Sequence, residues 1–163
     1  MSIGTSLIPE FDEEMATTRR VIERVPADRA DWKPHPKSFS IGHLTQLIAG
    51  MPGWLVMMIE NDSLDLAAGG GYGSHGTEGQ LEKFDGLVTK ARAALSRVSD
   101  ADMGKPWSLK MGDKVLMTSP RGVTIRQTIN HLVHHRGQMT VYLRLLDVPV
   151  PSIYGPTADE NWG

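Results

Sequence analysis

The chain has 163 residues, six histidines, no cysteine, and 17 Lys and Arg against 19 Asp and Glu, for a formal charge of −2. That length suits one domain with one core, and the near-balanced charge, with no long run of either sign, argues against a nucleic-acid partner. The lack of cysteine excludes disulfides, thiolate ligands and a cysteine nucleophile, so any metal must be held by His, Asp, Glu or water.

Met1 to Glu10 lacks the basic and apolar regions of a signal peptide, and no apolar run approaches membrane-spanning length, which together point to a cytoplasmic protein without membrane contact. From about Pro9 to Val25, Phe11, Met15, Val21 or Ile22 and Val25 recur at helical spacing. Acids lead (Glu10, Asp12, Glu13, Glu14) and arginines follow (Arg19, Arg20, Arg24), as the helix dipole favours. Pro26 closes this first helix. The proline-rich stretch 27–38 reads as an ordered connection in which Trp32 packs against the core.

Ser40 can cap a second helix from Ile41 to about Asn61, with Leu44, Leu47 or Ile48, Met51, Leu55 and Met58 facing inward and His43 beside that stripe. Pro52, between Gly50 and Gly53, predicts a kink or break. Residues 69–76 contain G-x-G-x-x-G by letter. A dinucleotide fingerprint needs a preceding strand, however, and here an amphipathic helix precedes it, so the stretch reads as a flexible connector. Thr77-Glu78-Gly79-Gln80 has the capping-box form, and Leu81, Phe84, Leu87 or Val88, Ala91, Leu95 and Val98 give the third helix. Trp107-Ser108-Leu109 and Val115-Leu116-Met117 flank a Met111-Gly112-Asp113 turn, the pattern of a small hairpin.

The last helix runs from somewhere in 120–124 to Leu146. Ile125, Ile129, Leu132, Met139, Leu143 and Leu146 form its core stripe. Beside that stripe, Thr124, Thr128, His131, His135, Gln138 and Tyr142 form a polar one that can hydrogen-bond or coordinate when partly buried. His131 and His135, four residues apart, project the same way from successive turns and can grip one metal ion. They can equally line a pocket without one. His134 points elsewhere, and Arg136 and Arg144, off the stripe, read as surface or interface residues. The tail from Val148 to Gly163 carries Val150, Ile153, Tyr154 and Trp162, apolar enough to dock. The fold class is therefore all-α: one domain over 1–163, a four-helix bundle with a small hairpin or irregular insertion between helices three and four.

Trp32-Lys33-Pro34-His35-Pro36-Lys37-Ser38 before Ser40-Ile41-Gly42, then Pro52-Gly53-Trp54, His134-His135-Arg136-Gly137-Gln138, Tyr142 to Leu146, Val150-Pro151, Tyr154-Gly155-Pro156 and Ala158-Asp159-Glu160 together resemble the DinB-like (damage-inducible) superfamily. The resemblance covers most of the chain. It implies homodimers and, in many members, a divalent metal such as Zn or Ni on three histidines, one from helix two and the H-x-x-x-H pair from helix four. That pair falls on His131 and His135. The helix-two ligand falls on Leu47, so His43, one turn earlier, is the candidate third ligand. Two readings follow: a metal-dependent transfer or hydrolysis enzyme, possibly using an external small thiol and a small-molecule substrate, or a metal-free bundle that binds a small molecule or assembles as a dimer.

Overall fold

The computed structural model of the chain describes residues 2–69 and 76–161. Among these residues are five α-helices: α1 (Ile3–Ile22), α2 (Ile41–Glu60), α3 (Gln80–Arg97), α4 (Asp100–Gly104) and α5 (Arg121–Leu145). Three strands complete the described chain, β1 (Ser63–Asp65), β2 (Pro106–Met111) and β3 (Lys114–Pro120). The protein is thus mostly helical, but the all-α expectation gives way to helices with a small sheet. Residues 70–75 and Trp162 lie outside the described residues, and with them most of the connector reading of 69–76.

Helix α1 starts well before Pro9, because the Ser2 hydroxyl accepts the Thr5 N–H and caps it there. Pro9 then sits inside the helix, where it removes one backbone bond. Close packing offsets that loss: Leu7 is buried, and a Cβ on Gly4 would lie 2.4 Å from the Leu95 carbonyl oxygen of α3. Helix α2 is capped by Ser40 as expected, through the His43 N–H at 3.2 Å. It runs unbroken through Pro52, because Ile48, Met51 and Leu55 are buried on both sides and hold it in register. Helix α3 is capped not by Thr77 but by Gly79, whose φ of 71° is a left-handed value that glycine takes without strain.

Helices α1 and α2 each pack against both α3 and α5, enclosing one core. Phe11, Ile41, Leu44, Phe84, Leu95 and the α5 stripe of Ile125, Ile129, Leu132, Met139 and Leu143 are all buried in it. Trp32 packs on its edge, its ring 5.6 Å from that of Tyr142, whose hydroxyl donates to the Phe39 carbonyl.

Strands β2 and β3 form the expected hairpin, antiparallel, with Gly112 at φ 58° in its turn. The third strand was not anticipated: β1 pairs in parallel with β2, Leu64 opposite Leu109. The Asp65 carboxylate accepts the Gly112 and Ala67 N–H groups, each at 2.9 Å, and so ties the end of β1 to the hairpin turn.

The tail docks as expected through Val150, buried in the core, and Ile153 packed against it, and polar groups add to the hold. Glu160 accepts the Ser152 N–H at 2.9 Å and pairs with Arg24, while Asp159 accepts the Val150 N–H at 2.9 Å and pairs with Arg144. Arg136, expected at the surface or an interface, is 1% exposed within the chain. Its guanidinium meets the Glu14 carboxylate at 2.6 Å and the Tyr154 hydroxyl at 2.8 Å, joining α1, α5 and the tail.

Candidate functional site

The polar stripe of α5 delivers its two histidines to one point. The Nε2 atoms of His131 and His135 stand 2.9 Å apart, with the rings tilted by 45°. His135 is 8% exposed, whereas His131 is open to solvent. One turn on, the Gln138 amide oxygen lies 2.7 Å from His135 Nδ1. A carbonyl oxygen accepts, so that bond puts a proton on Nδ1 and turns the Nε2 lone pair of His135 toward His131. Gln138 thereby orients the ligand nitrogen in the manner of an outer partner in a metal site.

Burial pushes both imidazoles below their ordinary value; His135 and His134 add to the shift of His131, and His134 to that of His135, against a pull upward from the Gln138 bond. The pair is therefore neutral at neutral pH, the state needed either for a ring-to-ring hydrogen bond or for coordination. Bonds of about 2.0–2.1 Å in a tetrahedral site put two nitrogens about 3.3 Å apart, so the pair, hydrogen-bonded at 2.9 Å, has to open by only a few tenths of an ångström to act as neighbouring ligands of one ion.

The third expected ligand stands elsewhere. The His43 ring stacks on Phe39, centroids 4.2 Å apart, and lines a separate cleft of about 350 Å³ with Asp31, Lys33 and Ser40. Among the described residues no group of three His, Cys, Asp or Glu side chains is placed to hold a metal. Leu47, at the position the resemblance assigns to the helix-two ligand, is 5% exposed within the core. The structure thus joins His131 to His135 and leaves His43 apart. His134 is exposed, its ring edge-on to His135 at 5.1 Å.

A pocket at the pair was expected from the sequence; its sheet wall was not. His131 helps to line a chamber of about 450 Å³. Trp54 and Met57 of α2, Leu64 and Leu109 of the sheet and Thr128 of α5 help to enclose it, and the Trp54 ring is 6.0 Å from that of His131. Three layers, α2, the sheet and α5, build its walls, so no local pattern gave their make-up; the one hint is that Trp54 and Met57 are apolar beyond what a single core needs.

The sequence model of the DinB family matches residues 1–162. A DinB-like protein from Bacillus cereus, known from its crystal structure, superposes with a TM-score of 0.72 over 91% of this chain and 95% of its own, at 18% identity. The DinB-like protein YjoA of Bacillus subtilis gives 0.69 over 87% and 92%, at 15% identity. At those identities the likeness is one of fold. The uncharacterized protein YrdA of Bacillus subtilis is 51% identical over 43 residues, which span 26% of this chain and 25% of that protein.

Proposed function

The chain belongs to the DinB family, and from that premise we propose that it is a divalent-metal-dependent enzyme whose working centre is the His131–His135 pair beside the apolar chamber. The observation that carries the reading is the 2.9 Å approach of the two Nε2 atoms, with the Gln138 amide oxygen 2.7 Å from His135 Nδ1. A Zn or Ni ion there, held by two protein nitrogens, would keep positions open for water, substrate or an external thiol and act as a Lewis acid toward them. His135, buried and fixed by Gln138, is the anchoring ligand, and His131 is the exposed one next to the chamber.

A second reading, a metal-free small-molecule binder, is favoured by one observation: Leu47 occupies a ligand position with a buried apolar side chain. Titration of the protein with Zn and Ni separates the two. Two imidazoles make a modest site, so weak, substoichiometric binding is expected, lost in His135→Ala and unchanged in His43→Ala. Leu47→His should tighten it at least as much as the ~10–100-fold that outer-partner changes produce. Metal uptake that survives His135→Ala, or none in any variant, would leave the metal-free reading.

A further inference from the structure

The chamber is built from chemically distinct sides. Its α2 side is Trp54, Met57 and Met58, and its sheet side includes Leu64, Trp107 and Leu109, all apolar bodies. Most of its polar groups come from the α5 side, where Thr124, Gln127 and Thr128 precede His131, while the sheet side adds the buried Trp107 Nε1–H, which meets no acceptor among the described residues. Thr128 is already committed, its hydroxyl donating to the Thr124 carbonyl at 3.0 Å. Among the described residues that line the chamber there is no Asp, Glu, Lys or Arg. Its volume of about 450 Å³ falls within the ~300–1,000 Å³ of small-molecule sites.

Away from the His131 side, where a metal would sit, an ionised ligand group would give up hydration among Trp, Met and Leu surface without gaining a counter-charge, which disfavours it. A neutral aromatic or aliphatic body gains instead by displacing water from Trp, Met and Leu surface. We infer that the chamber takes a neutral, largely apolar small molecule whose polar end lies toward Gln127 and His131. The inference deepens the enzyme reading and rests on it for which end of the ligand reacts, though not for whether the ligand binds. A charged cosubstrate is correspondingly assigned to the solvent-open side of His131, not to the chamber.

Two dyes of matched shape test the charge rule directly. N-phenyl-1-naphthylamine is neutral, and its 8-sulfonate analogue carries the same rings with one negative charge. Both are titrated by fluorescence into the intact protein in chelator, so that a bound metal plays no part. The neutral dye is expected to bind saturably at one site, at least tenfold tighter than the sulfonate. Met57→Trp should weaken it at least tenfold by filling the chamber, and so should Leu66→Trp, at an exposed rim position where folding is not at stake. His135→Ala should leave it unchanged, so failure of the metal reading and failure of this one are read separately. Equal or tighter binding of the sulfonate, no saturable binding of the neutral dye, or affinity unmoved by both tryptophan variants would overturn the inference.

Discussion

Arg136 is the residue at which type and environment disagree most. A charged side chain among buried neighbours is tolerated when its donors are satisfied, and here they reach the Glu14 carboxylate at 2.6 Å, the Glu14 carbonyl at 3.1 Å, Thr18 Oγ1 at 3.3 Å and the Tyr154 hydroxyl at 2.8 Å. The Tyr154 hydroxyl in turn donates to Glu14 at 2.7 Å. Removing one member of such a pair strands the other charge in the interior. Arg136→Ala should therefore cost about 3–5 kcal/mol in urea unfolding, and Tyr154→Phe about 1 kcal/mol. Arg136→Met combined with Glu14→Gln should cost less than the sum of the two single changes. A loss below about 0.5 kcal/mol for Arg136→Ala, the range of ordinary surface changes, would show that the pair does not hold these elements together. Sequence pattern assigns charge outward by default, which is why this position read as surface or interface. The His131–His135 pair was legible because four-residue spacing fixes its geometry locally.

Among the elements, the tail is held most by ionised groups. Hydrogen bonds from Arg144 and from the Val150 N–H hold the Asp159 carboxyl below its usual range, and bonds from the Ser152 N–H and Arg24 do the same for Glu160. A folded-state value below the unfolded one gives stability that is full above the unfolded carboxylate range and is lost as pH falls through the depressed values. The tail should accordingly detach on acidification below about pH 4. Hydrogen exchange would report it as early loss of protection at the Val150 and Ser152 amides while the α5 amides stay protected. Asp159→Asn with Glu160→Gln should release the tail at neutral pH, and unchanged protection in that variant would count against the idea. Of the elements, α2, α3, α5 and the hairpin were readable because apolar spacing and caps are local. The early start of α1 was hidden by Pro9, whose penalty is offset only by tertiary contact with α3. Strand β1 was hidden because three residues carry no alternation and their partner lies beyond α3.

For the whole molecule, the sheet order β1-β2-β3 gives β3 a neighbour on one side only among the described residues. Val115 and Leu116 on that strand are 52% and 44% exposed. An open strand edge bearing apolar side chains is a surface that a second copy can pair with. We propose this edge as the face of the homodimer that the family resemblance implies, since the apolar Trp54 and Met57 line the chamber instead. Light scattering at micromolar concentration should give a dimeric mass, reduced to a monomer in Val115→Lys with Leu116→Lys without change in helix content. A monomeric mass for the unaltered chain would refute it.

The parallel pairing of β1 with β2 also sets an order of assembly. The hairpin closes through a local turn, in about 1–10 μs for such units, whereas β1 can reach β2 only after the chain has passed out and back through α3 and α4. The sheet wall of the chamber should thus form late in folding and be lost early in partial unfolding. During refolding, helical signal should return before the ability to take up a ligand, so a population that looks native by its helix content can still be empty-handed.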